Sequence, residues 1–205
     1  VPVPGRVKTR LIGALGEQGA AAVHWALLRR TLESSLGLTD VERELWWDQA
    51  PPPGHPAAGL AAAYGLTERV QQGADLGERM AQALRETLAE SQAAVLIGSD
   101  CPGCDTDYLR AAFAALSSAD AVLGPAADGG YVLIGLRHAD DRLFADLHWG
   151  SDRVLAGTRA RLGGLGLRWR ELPVRSDIDR PEDLAGHPGL LAAAGDRTLA
   201  RGLAP

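Results

Sequence analysis

Residues 93–105, AAVLIGSDCPGCD, decide the fold. The run 93–98 is apolar with no charge and is bounded by glycine and serine, the pattern of a strand covered on both faces. It delivers Ser99 and Asp100 to its carboxyl end, turns at Pro102 and Gly103, and places Asp105 where it can cap a helix over 106–116. Strand, acid-bearing loop and helix in succession form the unit of a layered α/β fold, in which ligands bind beyond the carboxyl ends of the strands. Working outward, the same reading predicts strands at 41–47, 67–71, 121–124, 131–136 and 167–172. Helices are expected at 17–36, at 76–91 after an Asp75 cap, at 152–162 after Ser151, from Pro181, and in the Ala-rich stretch after Gly186, packed outside. The alternation argues for an α/β layer structure with a mostly parallel sheet in a single domain spanning 1–205, the Pro-rich stretch 50–56 being a surface loop.

The chain has 205 residues, 46% of them hydrophobic and 23% charged. At that length one core removes roughly 70% of the unfolded chain's surface from water, so neither a disulfide nor a metal is needed to hold it. The net charge is −5. No basic cluster is interleaved with aromatics, which disfavours a nucleic-acid partner. The apolar runs fall well short of the ~20 residues that span a bilayer, so no membrane span is expected. With no signal peptide and two cysteines, the default compartment is the cytoplasm. Val1 is not methionine, so a natural start upstream is expected. Oligomeric state is not indicated.

Of the 21 basic residues 20 are arginine, and Lys8 is the only lysine. It stands in VPVPGRVKTRL with Arg6 and Arg10, ahead of a helix. Three cations and free backbone N–H groups suit a di- or triphosphate; a solvated basic turn is the plain alternative. Neither a Walker A loop nor G-x-G-x-x-G is present. Asp100, at a strand end, suits Mg²⁺ or Mn²⁺, which take one or two protein carboxylates beside water and phosphate oxygens. Asp177 and Asp179, after the last strand, stand where a second carboxylate can meet it. In VQQGADLGERM, Gln71 or Gln72 can read a base edge while Gly73 and Gly77 admit a ring. In ADGGYVLIGL, Gly129 and Gly130 can approach a sugar or acceptor with Asp128 bonding a hydroxyl, or simply form a tight turn. Trp149 covers the core or stacks on an acceptor. Cys101 and Cys104 form a C-x-x-C ahead of a helix, which raises a thiol-redox alternative; Asp100 beside Cys101 disfavours a thiolate.

Together PVPGRVKTRL, QGADLGERM, LIGSDCPG, PAADGGYVLIGL, WGSDRVL and DIDRPEDL resemble a bacterial family of glycosyltransferase A-type transferases associated with radical-SAM and selenodomain proteins, in the nucleotide-diphospho-sugar transferase superfamily. The resemblance runs over almost the whole chain and implies a Rossmann-like three-layer sandwich with a mostly parallel mixed sheet. It also implies a first strand lying before Val1. Carried over by position, Arg6, Lys8 and Arg10 match the phosphate-binding loop, Gln72 and Gly73 the nucleoside segment, Asp100 the metal aspartate and Asp179 the second metal aspartate.

The expectation is a Mg²⁺- or Mn²⁺-dependent transferase using a nucleotide or nucleotide-sugar donor and a small-molecule acceptor. Lys8, Asp100 and Asp128 are the catalytic candidates. Arg6, Lys8, Arg10, Gln72, Gly73, Gly129 and Gly130 are the donor-binding candidates, and Asp100 and Asp179 those for metal. Glycosyl transfer leads; nucleotidyl transfer releasing pyrophosphate, a non-catalytic nucleotide-binding protein and a redox protein remain alternatives.

Overall fold

The structure, a computed structural model, describes residues 1–195. It is a mixed α/β fold whose residues gather into two compact units. One unit comprises Val1–Val70, Ser99–Pro102 and the described residues from Asp177 onward; the other comprises Gln71–Gly98 and Gly103–Ser176.

In the first unit a 3-10 helix, Thr9–Leu11, leads into α1, Ile12–Leu36. The long helix breaks at Gly16, whose φ of 71° and ψ of 168° are not helical. Beyond the break the helix runs from Glu17, the start read from the sequence; the helical residues 12–15 before it are an addition to that reading. Two parallel strands follow, β1 (Glu44–Trp47) and β2 (Thr67–Val70), with the short α2 (Leu60–Ala63) between them. α1 is apolar on two faces because it is packed on two sides. Ala21, Ala22, Trp25, Leu28 and Leu32 join Trp47, Ala57 and Leu60 in one cluster. Ala20, Val23 and Leu27 join Leu11, Ile178, Leu184 and Leu190 in another. At 3.6 residues per turn these two sets fall on different sides of the helix, and His24 lies at the seam between them.

The second unit begins with α3, Leu76–Glu90, capped by the Asp75 side chain, which accepts from Glu78 N–H. It continues through β3 (Ala94–Ile97), α4 (Thr106–Leu116), β4 (Ala121–Pro125), β5 (Tyr131–Leu136), α5 (Val154–Gly164) and β6 (Trp169–Glu171). The sheet order is β3-β5-β4-β6. β4 and β6 are parallel, whereas β5 runs against both its neighbours. A short connection of residues 126–130 reverses the chain from β4 into β5, which is what a two-glycine turn permits. Its core joins Leu84, Leu123, Ile134, Leu136, Leu143 and Leu162, with Trp149 packed at the margin between Phe144 and Tyr131.

One helix start and one helix type differ from the sequence reading. α5 begins at Val154 rather than 152, with Arg153 at the cap position and no side-chain cap; Ser151 Oγ instead accepts from Arg153 N–H at 3.3 Å, inside the preceding turn. The helix at Pro181 is a 3-10 helix, Pro181–Gly186. It is followed by α6, Pro188–Gly195, whose Leu190 packs with the α1 cluster.

Candidate functional site

The candidate site lies within the first unit, and residues 7–11 are its base. Val7 packs on one apolar cluster and Leu11, fully buried, belongs to the other. Between these two anchors the backbone turns sharply. Lys8 has φ 45° and ψ 46°, a left-handed conformation that costs a non-glycine residue about 1 kcal/mol or more. The turn is closed by Leu11 N–H donating to the Lys8 carbonyl at 2.8 Å. Strain of this kind persists only where surrounding packing over-determines it, and the two anchors supply that packing.

The turn drives the Lys8 side chain inward until it is only 7% exposed, and Nζ donates to Asp100 Oδ2 at 3.2 Å. A solvated basic turn is thereby excluded for Lys8, because a solvated ammonium would extend into water. Arg10 is different: its side chain is mostly exposed and forms an ion pair with Asp179.

Asp100 and Asp179 are drawn together by main chain. Ile178 N–H donates to the Asp100 carbonyl at 3.0 Å, and the Ile178 side chain is buried in the α1 cluster. Ile178 is buried, while the side chain of Asp179 next to it keeps 36% of its surface exposed. Asp183 then fixes the segment, its carboxylate accepting from the N–H groups of Asp179 at 2.9 Å and Arg180 at 2.7 Å.

A cavity of about 420 Å³ opens there, lined by Val7, Lys8, Thr9, Arg10, His24, Asp100 and Asp179. Lys8, Arg10, Asp100 and Asp179, far apart in sequence, thus share one cavity. Arg6 is exposed and is not among its lining residues. His24 enters from the α1 seam. Burial and, next, the charge of Lys8 push its pKa down to about 4, so the ring is neutral near pH 7. Sequence reasoning missed His24, since no spacing ties it to the basic loop; the only signal is a polar residue inside an otherwise apolar stretch of α1.

The cavity offers two cations, two carboxylates and a neutral imidazole. Two carboxylates are hard oxygen donors of the kind Mg²⁺ or Mn²⁺ accepts alongside water and phosphate oxygens. They do not suit a structural zinc site, and no group of three or more His, Cys, Asp or Glu able to hold a metal ion occurs among the described residues.

The remaining candidates belong to the second unit, where local structure uses them. Gly73 has φ 143°, and a Cβ there would stand 2.7 Å from the Glu78 Cβ; Gln72 N–H donates to the Gln82 side chain at 2.7 Å. Asp128 Oδ1 accepts from Gly130 N–H at 2.9 Å, the bond of a tight Asx turn. Gly129 has φ 91°, and a Cβ there would lie 2.3 Å from the Asp152 carbonyl oxygen. A second cavity of about 510 Å³ in this unit is lined by Ser118, Ala119, Leu167, Arg168, Trp169 and Arg170. Arg168 is paired there with Asp120, and the lining holds no carboxylate. Cys101 and Cys104 are each only 2% exposed, which limits the access that thiol exchange requires. Among the described residues no helix is long and apolar enough to cross a membrane.

Comparison with solved structures supports the fold and the superfamily. A protein from Desulfovibrio desulfuricans G20, called a "putative nucleotide-diphospho-sugar transferase", is similar with a TM-score of 0.82 and 27% identity, over 100% of this chain and 94% of that one. Rv0371c from Mycobacterium tuberculosis H37Rv has a TM-score of 0.52 at 20% identity, covering 81% of this chain and 83% of its own. Its homologue from Mycobacterium sp. strain JC1 has a TM-score of 0.50 at 19% identity, covering 82% of each chain. These two are alike in fold alone. No curated protein matches the chain. The DUF2064 family, described as an uncharacterized protein conserved in bacteria, matches residues 31–151, which include Asp100 and the turn at Asp128. With more than half of its length matched, this chain belongs to the bacterial DUF2064 family.

Proposed function

We propose that the protein is a Mg²⁺- or Mn²⁺-dependent transferase acting on a nucleotide-activated donor, specifically a glycosyltransferase using a nucleotide sugar. The observation that carries this reading is the cavity that gathers Lys8, Arg10, Asp100 and Asp179. The similarity to the Desulfovibrio protein supports it. Two lining cations rather than three match a diphosphate better than a triphosphate, which favours glycosyl over nucleotidyl transfer.

Both cations are already paired with carboxylates, so the cavity is close to neutral. A diphosphate entering alone would face Asp100 and Asp179, and a divalent cation entering alone would face Lys8 and Arg10. Entering together they let each charge exchange partners: Lys8 and Arg10 turn to the donor's phosphate oxygens, and Asp100 and Asp179 would hold the metal ion. Bound there, the ion would supply positive charge to the departing nucleoside diphosphate. Lys8, buried and positioned by its strained turn, would set its ammonium where leaving-group charge develops as the acceptor oxygen attacks the anomeric carbon. Asp128 Oδ1 is held by the turn, and this proposal gives Asp128, Gly129 and Gly130 no catalytic part.

A thermal-shift panel of nucleotide sugars and nucleoside triphosphates, each with and without Mg²⁺ or Mn²⁺, tests the reading. A nucleotide sugar together with metal is expected to raise Tm more than the two separate shifts combined. Stabilisation by triphosphates only would replace glycosyl by nucleotidyl transfer; no shift with any nucleotide would overturn both.

A further inference from the structure

We propose that His24 is a ligand-contacting specificity residue, its ring donating a hydrogen bond to a phosphate oxygen of the bound diphosphate. The inference rests on the diphosphate reading above and adds to it a residue from α1. Between Gly19 and Leu28 every other residue of the helix is glycine, alanine, valine, leucine or tryptophan, as two-sided packing demands. An imidazole in that stretch is costly unless it is hydrogen-bonded. Its Nδ1 is buried and has no partner among the described residues. A residue serving only to fill the seam would be apolar. His24 instead lines the cavity beside Lys8, Arg10, Asp100 and Asp179.

The company it keeps explains why a neutral group serves there. Lys8 and Arg10 are each held by a carboxylate, so the cavity has its charge in balance. A neutral imidazole carries one N–H and one acceptor nitrogen, and so adds a directional donor without disturbing that balance. Its ring is carried by a helix packed on both sides, which makes it a fixed reference for one oxygen of the ligand rather than a mobile countercharge. An oxygen placed to meet it gains a bond; a ligand without one leaves the imidazole unsatisfied, and that difference is the basis of selection.

The test is calorimetric titration of inorganic pyrophosphate in Mg²⁺ into the wild type and the His24→Ala, His24→Asn, His24→Gln and Lys8→Ala variants, with circular dichroism to follow folding. Asn places an amide near the position of Nδ1 and Gln near that of Nε2. His24→Ala is expected to weaken binding about tenfold or more, the size of a hydrogen bond to a charged oxygen, with Asn or Gln recovering most of the loss. Equal affinity of wild type and His24→Ala, or a loss that neither amide recovers, would overturn the proposal. If Lys8→Ala binds weakly while His24→Ala does not, the diphosphate reading stands and only His24 falls. A wild type that takes up no pyrophosphate removes both. Should His24→Ala fail to fold, the ring ¹⁵N resonances of His24 in the wild type decide: they move on adding pyrophosphate if the contact forms and stay in place if it does not.

Discussion

The segments 5–10 and 128–130 look alike in sequence, each setting glycine beside charged residues at the edge of a regular element, but they use their polar groups in opposite ways. At 128–130 the Asp128 carboxylate bonds the N–H two residues on, and Gly129 makes room for the carbonyl of Asp152. These contacts are local or made with backbone. At 5–10 the polar groups reach across the chain: Lys8 to Asp100 and Arg10 to Asp179, separations of 92 and 169 residues. The backbone there is bent into an unfavourable region to make the first of these possible. A local bond stabilises its own turn, whereas the Lys8–Asp100 pair ties together segments far apart in the chain at a cost in backbone strain, which is the feature the proposed function builds on.

The contrast can be broken most forcefully at Gly129. Gly129→Ala combines a positive φ with a Cβ 2.3 Å from backbone oxygen, and should lower the unfolding free energy by about 3–4 kcal/mol in urea titrations. The folded fraction should keep its affinity for diphosphate. At the other segment the balance inverts. Asp100→Asn and Lys8→Ala should each weaken binding of a nucleoside diphosphate with Mn²⁺ about a hundredfold, roughly 2.7 kcal/mol, in calorimetry. In Asp100→Asn the loss should fall mainly on the metal-dependent part. Unchanged binding in both variants would reduce 5–10 to a structural turn like its counterpart.

A smaller effect sharpens the picture through pH. His24 titrates near 4 in the folded protein and near 6.5 when unfolded. Between those values the unfolded chain binds the extra proton, so stability is full above pH 6.5 and is lost as pH falls towards 4. Over that interval the wild type should lose about 2 kcal/mol more than His24→Asn, measured by urea midpoints at each pH. Smallest is Asp128→Ala, which removes one exposed Asx bond and should cost about 1 kcal/mol of stability. A drop in diphosphate affinity on top of that would show that the turn reaches the ligand after all.

Much of the architecture was legible because it rests on short-range patterns. The apolar run at 94–97, the Asp75 and Asp105 caps and the strand at 131–136 appear in the structure almost residue for residue. The helix from Glu17 was also legible, but the helical residues 12–15 before the break at Gly16 were not. The start of α5 was not, because Ser151 resembles a cap by type and only the turn geometry shows it bonding Arg153 instead. The reversal of β5 against both neighbours depends on how strands pair, which apolar periodicity does not encode.

By itself the sequence determined the layered α/β class, the strand ends at which acids emerge and the singular lysine ahead of a helix, since each follows from local propensity and hydrophobic period. Only the tertiary structure decided which of the marked residues meet. It buried Lys8 against Asp100, brought Asp179 to the same cavity through the Ile178 hydrogen bond, left Arg6 exposed, and added His24 from a helix seam. The reason is physical: burial of a charge and the convergence of distant side chains are set by packing on both sides of α1, a property of no single segment.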